Sequence, residues 1–181
     1  MYGMINQAVR ELVVGNHGEP TWRKICAEAG LADTEFNSMR QYADSVTYDL
    51  VGAASKVLNT PPAALLEQFG EFWTDFARNT DFARLMKFGG NTLVEFVQNL
   101  DHMHAKIKSS LPQLVPPSFR CTDVTNAGFR LHYYSTRPGL VPLVIGMMKG
   151  MARLYEQRIE IEIDKTREQG HDHDVLVVRY V

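Results

Sequence analysis

Through the first two thirds of the chain apolar residues recur every three to four positions, and in the last third they alternate, so helices are predicted first and strands later. Ile5, Val9, Leu12 and Val13 form one stripe that should stop near Gly15, and Trp22, Ile25, Cys26 and Ala29 form another that Gly30 should stop. Val46, Leu50, Ala54 and Val57 repeat the spacing behind Asp44 or Ser45, either of which could cap the helix by accepting from its free N–H groups. Thr60-Pro61 opens another helix, in which Leu65, Phe69, Phe72, Trp73 and Phe76 share a face. The longest pattern, residues 92–111, ends at Pro112, and a loop with Pro116-Pro117 follows. Phe129, Leu131, Tyr133, Ser135 and Arg137 alternate as a strand closed by Pro138-Gly139. A helix returns with Leu140, Leu143, Val144, Met147, Met151 and Leu154 on its buried face. Ile159, Ile161 and Ile163 then alternate with charged residues, and REQGHDHD joins them as a hairpin to the run Val175 to Val181. The class is α+β, one domain over 1–181, helical to about residue 111 and sheet-containing from about 112.

At 181 residues, 45% apolar, the chain can bury a core that encloses a small molecule without disulfides. Its 19 basic and 21 acidic side chains argue against an electrostatic nucleic-acid binder, which needs a basic excess. The longest apolar run, Leu140 to Met148, is interrupted by Pro142 and Gly146 and falls far short of the ~20 residues that span a bilayer. The opening MYGMINQAVRELVV does not read as a signal peptide, so a cytoplasmic location is expected. Cys26 and Cys121, distant and outside any CxxC or His/Cys spacing, fit reduced thiols.

Two histidines sit on the long helical pattern, and its geometry separates them. His104 falls among Val97, Leu100, Ile107 and Leu111 on the apolar face, whereas His102 neighbours Gln98, Asn99 and Lys106 on the solvent face. A buried neutral imidazole needs partners for both ring nitrogens, and haem iron is one acceptor of its lone pair. A histidine in an apolar stripe is more often an ordinary core residue. Period-two alternation would send Tyr133, Ser135 and Arg137 to one side of a strand, three donors able to bind a doubly anionic group. The same spacing fits a polar edge strand. The helices carrying Trp73 and Leu143 could line a cavity or simply fill a core, and HDHD at 171–174 reads as a turn. No GxSxG, HExxH, P-loop or GxGxxG element supports hydrolase, nucleotide-binding or Rossmann chemistry.

Taken together, MYG, VTYDLVGAASKVL (46–58), FGEFW (69–73), NLDHMHA (99–105), PSFRC (117–121), LHYYSTRPGL (131–140) and VIGMMKG (144–150) resemble the H-NOX family of haem-based gas sensors, which is related to the haem domain of soluble guanylate cyclase. The resemblance spans nearly the whole chain. It implies an H-NOX fold around haem b, with His104 as axial iron ligand and Tyr133, Ser135 and Arg137 on the propionates. It further implies that Pro117 presses the porphyrin out of plane and that Asp44 pairs with the propionate-binding arginine. Ile5, Trp73, Leu143 and Met147 then form the distal wall, and Leu143 stands where an oxygen binder carries a hydrogen-bond donor. The implied function is a non-enzymatic sensor that binds NO and CO, excludes O₂ and signals to a histidine kinase or a diguanylate cyclase. The alternatives are an O₂-binding haem sensor and a sensor domain from a longer guanylate cyclase-like or chemotaxis chain.

Overall fold

A computed structural model describes residues 1–32, 35–80, 83–86 and 89–181. Four helices lead: α1 (Gly3–His17), α2 (Glu19–Glu28), α3 (Asp44–Leu58) and α4 (Pro62–Arg78). A single turn, α5 (Ala83–Met86), precedes the long α6 (Leu93–Ser110). Strands β1 (Ser118–Thr125) and β2 (Gly128–Tyr134), helix α7 (Val141–Leu154), and strands β3 (Ile159–Lys165) and β4 (Asp174–Tyr180) complete the α+β chain. The strands form one antiparallel sheet in the order β1-β2-β4-β3. Among the described residues no helix is long and apolar enough to cross a membrane.

Several local expectations are corrected. Helix α1 runs just past Gly15 to His17 and ends at Gly18, whose φ of 80° suits a residue without Cβ. Neither Asp44 nor Ser45 caps α3. Ala43 holds the cap position without a side-chain bond, and Asp44 is the first helical residue. Strand β1 falls where a loop was expected, because its alternation breaks early: Asp123 adopts a φ of 50° and the pairing slips between Thr122 and Thr125. Ser135 and Arg137 lie beyond β2, not on it. The ladder ends where Ser118 pairs with Tyr134, and the preceding Pro117 has no N–H to extend it.

Two buried clusters result. Leu131, Leu176 and Val178 of the sheet pack with Leu93 and Val97 of α6 and Met148 of α7. Trp22, Ile25, Val9 and Leu50 make the other cluster with Phe69 of α4. Fully burying each such side chain stabilises by about 1.5–3 kcal/mol. Helix α6 packs with the sheet, so the two cores part between α4 and α6. Helices α4 and α7 join them at very short range. A Cβ added to Gly146 would stand 1.9 Å from the Glu67 carbonyl oxygen, so only glycine permits this approach. Lys149 to Glu67 and Arg153 to Glu71 tie the same two helices along their outer side.

This contact predicts opposite outcomes for two chemically identical changes. Gly146→Ala should destabilise by about 1–3 kcal/mol through overpacking, despite its better helix propensity. Gly15→Ala, on an exposed position with open space around the new methyl, should stabilise by about 0.5–1 kcal/mol. Urea unfolding of both variants checks the sign of each difference.

Candidate functional site

A cavity of about 320 Å³ lies between the two cores, within the size range of small-molecule sites. Every residue singled out from the sequence lines it except Asp44, which stands behind Arg137. Its walls are largely apolar, and its polar groups gather in two places.

The first is a lone imidazole. His104 projects from α6 between Leu100 and Ile107, with His102 exposed, as the helical spacing predicts. Its Nδ1 is buried and makes no hydrogen bond of proper geometry. Burial pushes the ring's pKa below the ordinary histidine value, while the Asp101 carboxylate and the Pro117 carbonyl pull weakly the other way. The ring is therefore neutral at neutral pH and offers a lone pair to the cavity. One turn before it, Asp101 fastens α6 to the start of β1 by accepting from Phe119 N at 3.0 Å and from the Ser118 hydroxyl. Pro117 lies directly before that fastening and lines the cavity on the same side.

The second is a cationic corner. Arg137 donates through Nε to Asp44 Oδ2 at 2.8 Å and through Nη1 to the Val115 carbonyl at 2.8 Å. Its own backbone N–H donates to Ser135 Oγ at 3.1 Å, which folds the turn after β2 so that both side chains meet. The Met1 ammonium donates to Asp44 Oδ1 at 2.6 Å. Two cations around one carboxylate leave one net positive charge facing the cavity. The phenol of Tyr133 is pushed up by burial, partly offset by its bond to Ser135, so it remains a protonated donor. The turn thus assembles the three donors by a bend, where the sequence suggested a strand face.

Opposite His104 the wall carries no charge. Ile5, Trp73, Leu143 and Met147 line it. Trp73 is fixed by stacking on Phe76 at 5.5 Å and by edge contact with Phe69 at 6.2 Å. The hydroxyl of Thr74, also at the wall, is spent on the Glu71 carbonyl.

Tyr48, Met1 and Val115 belong to the site and were not foreseen. Tyr48 lines the cavity and donates to the Pro138 carbonyl at 2.9 Å, anchoring the turn from α3. Its position four residues after Asp44, on the same helix face, was the available signal. Nothing in the sequence pointed to a terminal amine or a backbone carbonyl.

The donor set fits a haem. A planar dicarboxylate macrocycle requires an apolar slot, one neutral imidazole on one side and cationic and hydroxyl donors at one edge, and all are present. Among the described residues no three His, Cys, Asp or Glu side chains converge to hold a metal ion, so a metal bound here must bring most of its own ligands, as a porphyrin does.

The Asp44 carboxyl is pushed up by burial but pulled down further by the Met1 ammonium and Arg137, and its net pKa lies below the ordinary value. A depressed carboxylate contributes stability above the unfolded pKa of about 4 and loses it as pH falls through the folded value. Asp44→Asn should therefore unfold more easily at neutral pH, by about 1 kcal/mol or less because the carboxylate is partly exposed and screened. In urea titrations the difference should close below about pH 4; a gap of constant size would show that the ionised carboxylate is not its source.

Known proteins resemble the chain along most of its length. The profile of the haem-NO-binding family matches residues 2–163. The soluble guanylate cyclase gcy-32 of Caenorhabditis elegans is 33% identical over 156 residues, 84% of this chain and 23% of that protein. Soluble guanylate cyclase gcy-31 of the same animal is 27% identical over 99% of this chain and 26% of its own length. The chain thus spans about a quarter of these relatives. Among solved structures, an H-NOX protein from S. oneidensis in the Fe(II)NO state superposes with a TM-score of 0.88 at 22% identity, covering 100% of this chain and 99% of that one. Unliganded Fe(II) H-NOX from K. algicida gives 0.88 at 19% identity, covering 100% and 97%. The match along the chain and the shared fold carry one conclusion: the chain belongs to the haem-NO-binding, or H-NOX, family.

Proposed function

We propose that this chain is an NO-responsive haem sensor, not an enzyme. The carrying observation is the buried, unpartnered imidazole of His104 facing an apolar cavity whose far corner holds Tyr133, Ser135 and Arg137. In this reading His104 is the axial ligand of haem b. Arg137 and the two hydroxyls grip the propionates, Asp44 and Val115 aim the guanidinium, and Pro117 presses on the macrocycle. The bound haem supplies a ferrous iron able to take a diatomic ligand.

The wall of Ile5, Trp73, Leu143 and Met147 supports selectivity. Bound O₂ carries partial negative charge and is held by a donor, worth about 1–3 kcal/mol for a bond to a charged acceptor. NO and CO need none, and Leu143 withholds it. If a gas ligand loosened the hold between the iron and His104, α6 could shift, and Asp101 would pass that shift to β1 through Ser118 and Phe119. The chain's own surface then changes and a partner reads it: a histidine kinase, a diguanylate cyclase, or a catalytic segment of the kind its longer cyclase relatives carry. Free Cys26 and Cys121 suit the reducing cytoplasm.

Visible spectra of the dithionite-reduced protein in air, under CO and under NO test the reading. A strong Soret band that shifts with CO and NO but not with air is expected. His104→Gly should lose the haem signal and regain it on addition of free imidazole. A colourless protein after incubation with hemin would overturn haem binding, and a stable oxy complex would overturn the selectivity.

A further inference from the structure

A second histidine cluster lies outside the cavity, on the outer face of the sheet. Along β2 the inner face takes Phe129, Leu131 and Tyr133, leaving Arg130, His132 and Tyr134 on the other side. His173, from the HDHD turn, comes back over this face. Its Nε2 lies 2.8 Å from His132 Nδ1, and its ring stacks on Tyr134 at 4.2 Å and 22°. The outer nitrogens are also occupied: Thr122 Oγ1 lies 2.9 Å from His132 Nε2, and Asp172 Oδ1 lies 2.7 Å from His173 Nδ1.

One carboxylate sets the direction of the whole chain. Ionised Asp172 only accepts, so His173 Nδ1 carries its proton. Neutral His173 then accepts at Nε2, His132 donates from Nδ1, and His132 accepts at Nε2 from the Thr122 hydroxyl. A first added proton can sit on His132 Nε2, because the Thr122 hydroxyl can turn and accept instead. A second has only His173 Nε2 left, and there it would face the His132 N–H, two donors across 2.8 Å. The chain holds one extra proton and breaks on the next.

The cluster braces the corner of the cavity. Tyr134, under His173, is the residue between Tyr133 and Ser135. The same connection sends Arg167 Nη1 to the Ser135 carbonyl, and the Arg167 backbone N–H is tied to Asp174 at 2.9 Å. The segment 166–174 thus grips the step from Tyr134 to Ser135 twice, once by ring stacking and once by a hydrogen bond.

We propose that Thr122, His132, His173 and Asp172 form a proton-sensitive brace for the turn that carries Ser135 and Arg137, so that acid loosens the grip on an anionic ligand there. His132 and His173 are positioning residues, and the consequence for haem rests on the function proposed above. The surroundings of His132 oppose its protonation. Burial first, then His173 and the guanidiniums of Arg120 on β1 and Arg130 on β2, push His132 below the ordinary value, against a weaker pull from Asp123. On β3, Asp164 is taken up by Arg130 at 2.6 Å, and β4 places apolar Val175 opposite His132. The proton that His132 resists leaves the brace standing, and the brace is lost only when acid forces a second proton into the gap between the two rings.

Two measurements decide it. Haem transfer from the loaded protein to excess apomyoglobin, followed from about pH 8 to about pH 5, should accelerate about tenfold or more as the second proton binds. His173→Phe keeps a ring for Tyr134 but cannot bond, so its transfer should be fast and nearly flat with pH; retention of the wild-type profile would overturn the proposal. On the wild-type protein, long-range ¹⁵N–¹H NMR should find both rings as Nδ1–H tautomers at neutral pH, and the amide signals of Ser135 and Arg137 should shift together with the ring nitrogens of the two histidines as acid is added. An Nε2–H form of either ring, or amides that do not respond, would also overturn it. If the chain takes up no haem, the proposed function fails while the NMR titration still judges the brace.

Discussion

The close crossing of α4 and α7 is the contact on which the remaining architecture depends. Each core is complete on its own side, with Trp22, Ile25 and Leu50 in one and Leu131, Leu176 and Val97 in the other. Where α4 meets α7, Gly146 brings one backbone against the other at a distance no side chain allows. Beside this crossing the remaining apolar faces of the two cores line the cavity. Trp73 on α4, with Leu143 and Met147 on α7, lines the cavity, and Phe69 reaches it from the helical core. The half-buried state of Leu143 and Met147, against fully buried Val144 and Met148 on the same helix, records that division.

Charge reinforces the same junction from the other end. Asp44 belongs to the helical core's α3, Arg137 to the turn leaving the sheet, and their bond crosses between the two units. Arg137 also holds the Val115 carbonyl, in the segment that leads to Pro117 and the Asp101 fastening. One guanidinium therefore touches the helical part, the cationic corner and the connection behind His104. A neutral residue of the same size would fill the space but tie none of these together, and lysine, with all its donors on one nitrogen, lacks the planar fork that reaches Asp44 and the Val115 carbonyl from separate nitrogens.

Much of this was legible because helical periodicity is robust over long segments. The 92–111 pattern yields α6 and sorts His104 from His102, which is why the imidazole could be assigned a face before any coordinates existed. The donors of the corner were found for a partly mistaken reason. Tyr133 does lie on a strand, but Ser135 and Arg137 converge through a bend closed by the Arg137 N–H and Ser135 Oγ, a side-chain event with no periodic signature. Strand β1 escaped because a bulge at Asp123 disrupts the alternation by which a strand is recognised. His132 and His173 escaped for another reason: they are separated by 41 residues and meet only through sheet pairing, which alternation within one strand does not encode.

The energetics explain why such a site stands out from an ordinary core. Holding about 320 Å³ out of a solid interior forgoes packing on the order of several kcal/mol, at about 24 cal/mol per Å³ of cavity, against a total stability of about 5–15 kcal/mol. An unpartnered buried imidazole nitrogen adds about 1–3 kcal/mol to that deficit. A sequence selected for stability alone would fill the space with larger side chains and place leucine at 104. The cavity's deficit would be removed by one rigid, largely apolar ligand that offered a Lewis acid to the imidazole and carboxylates to Arg137, and its binding would stabilise the fold by mass action. The costs thus fall where the ligand makes its contacts, so loosening any one contact shifts the balance of the whole domain rather than of a single bond.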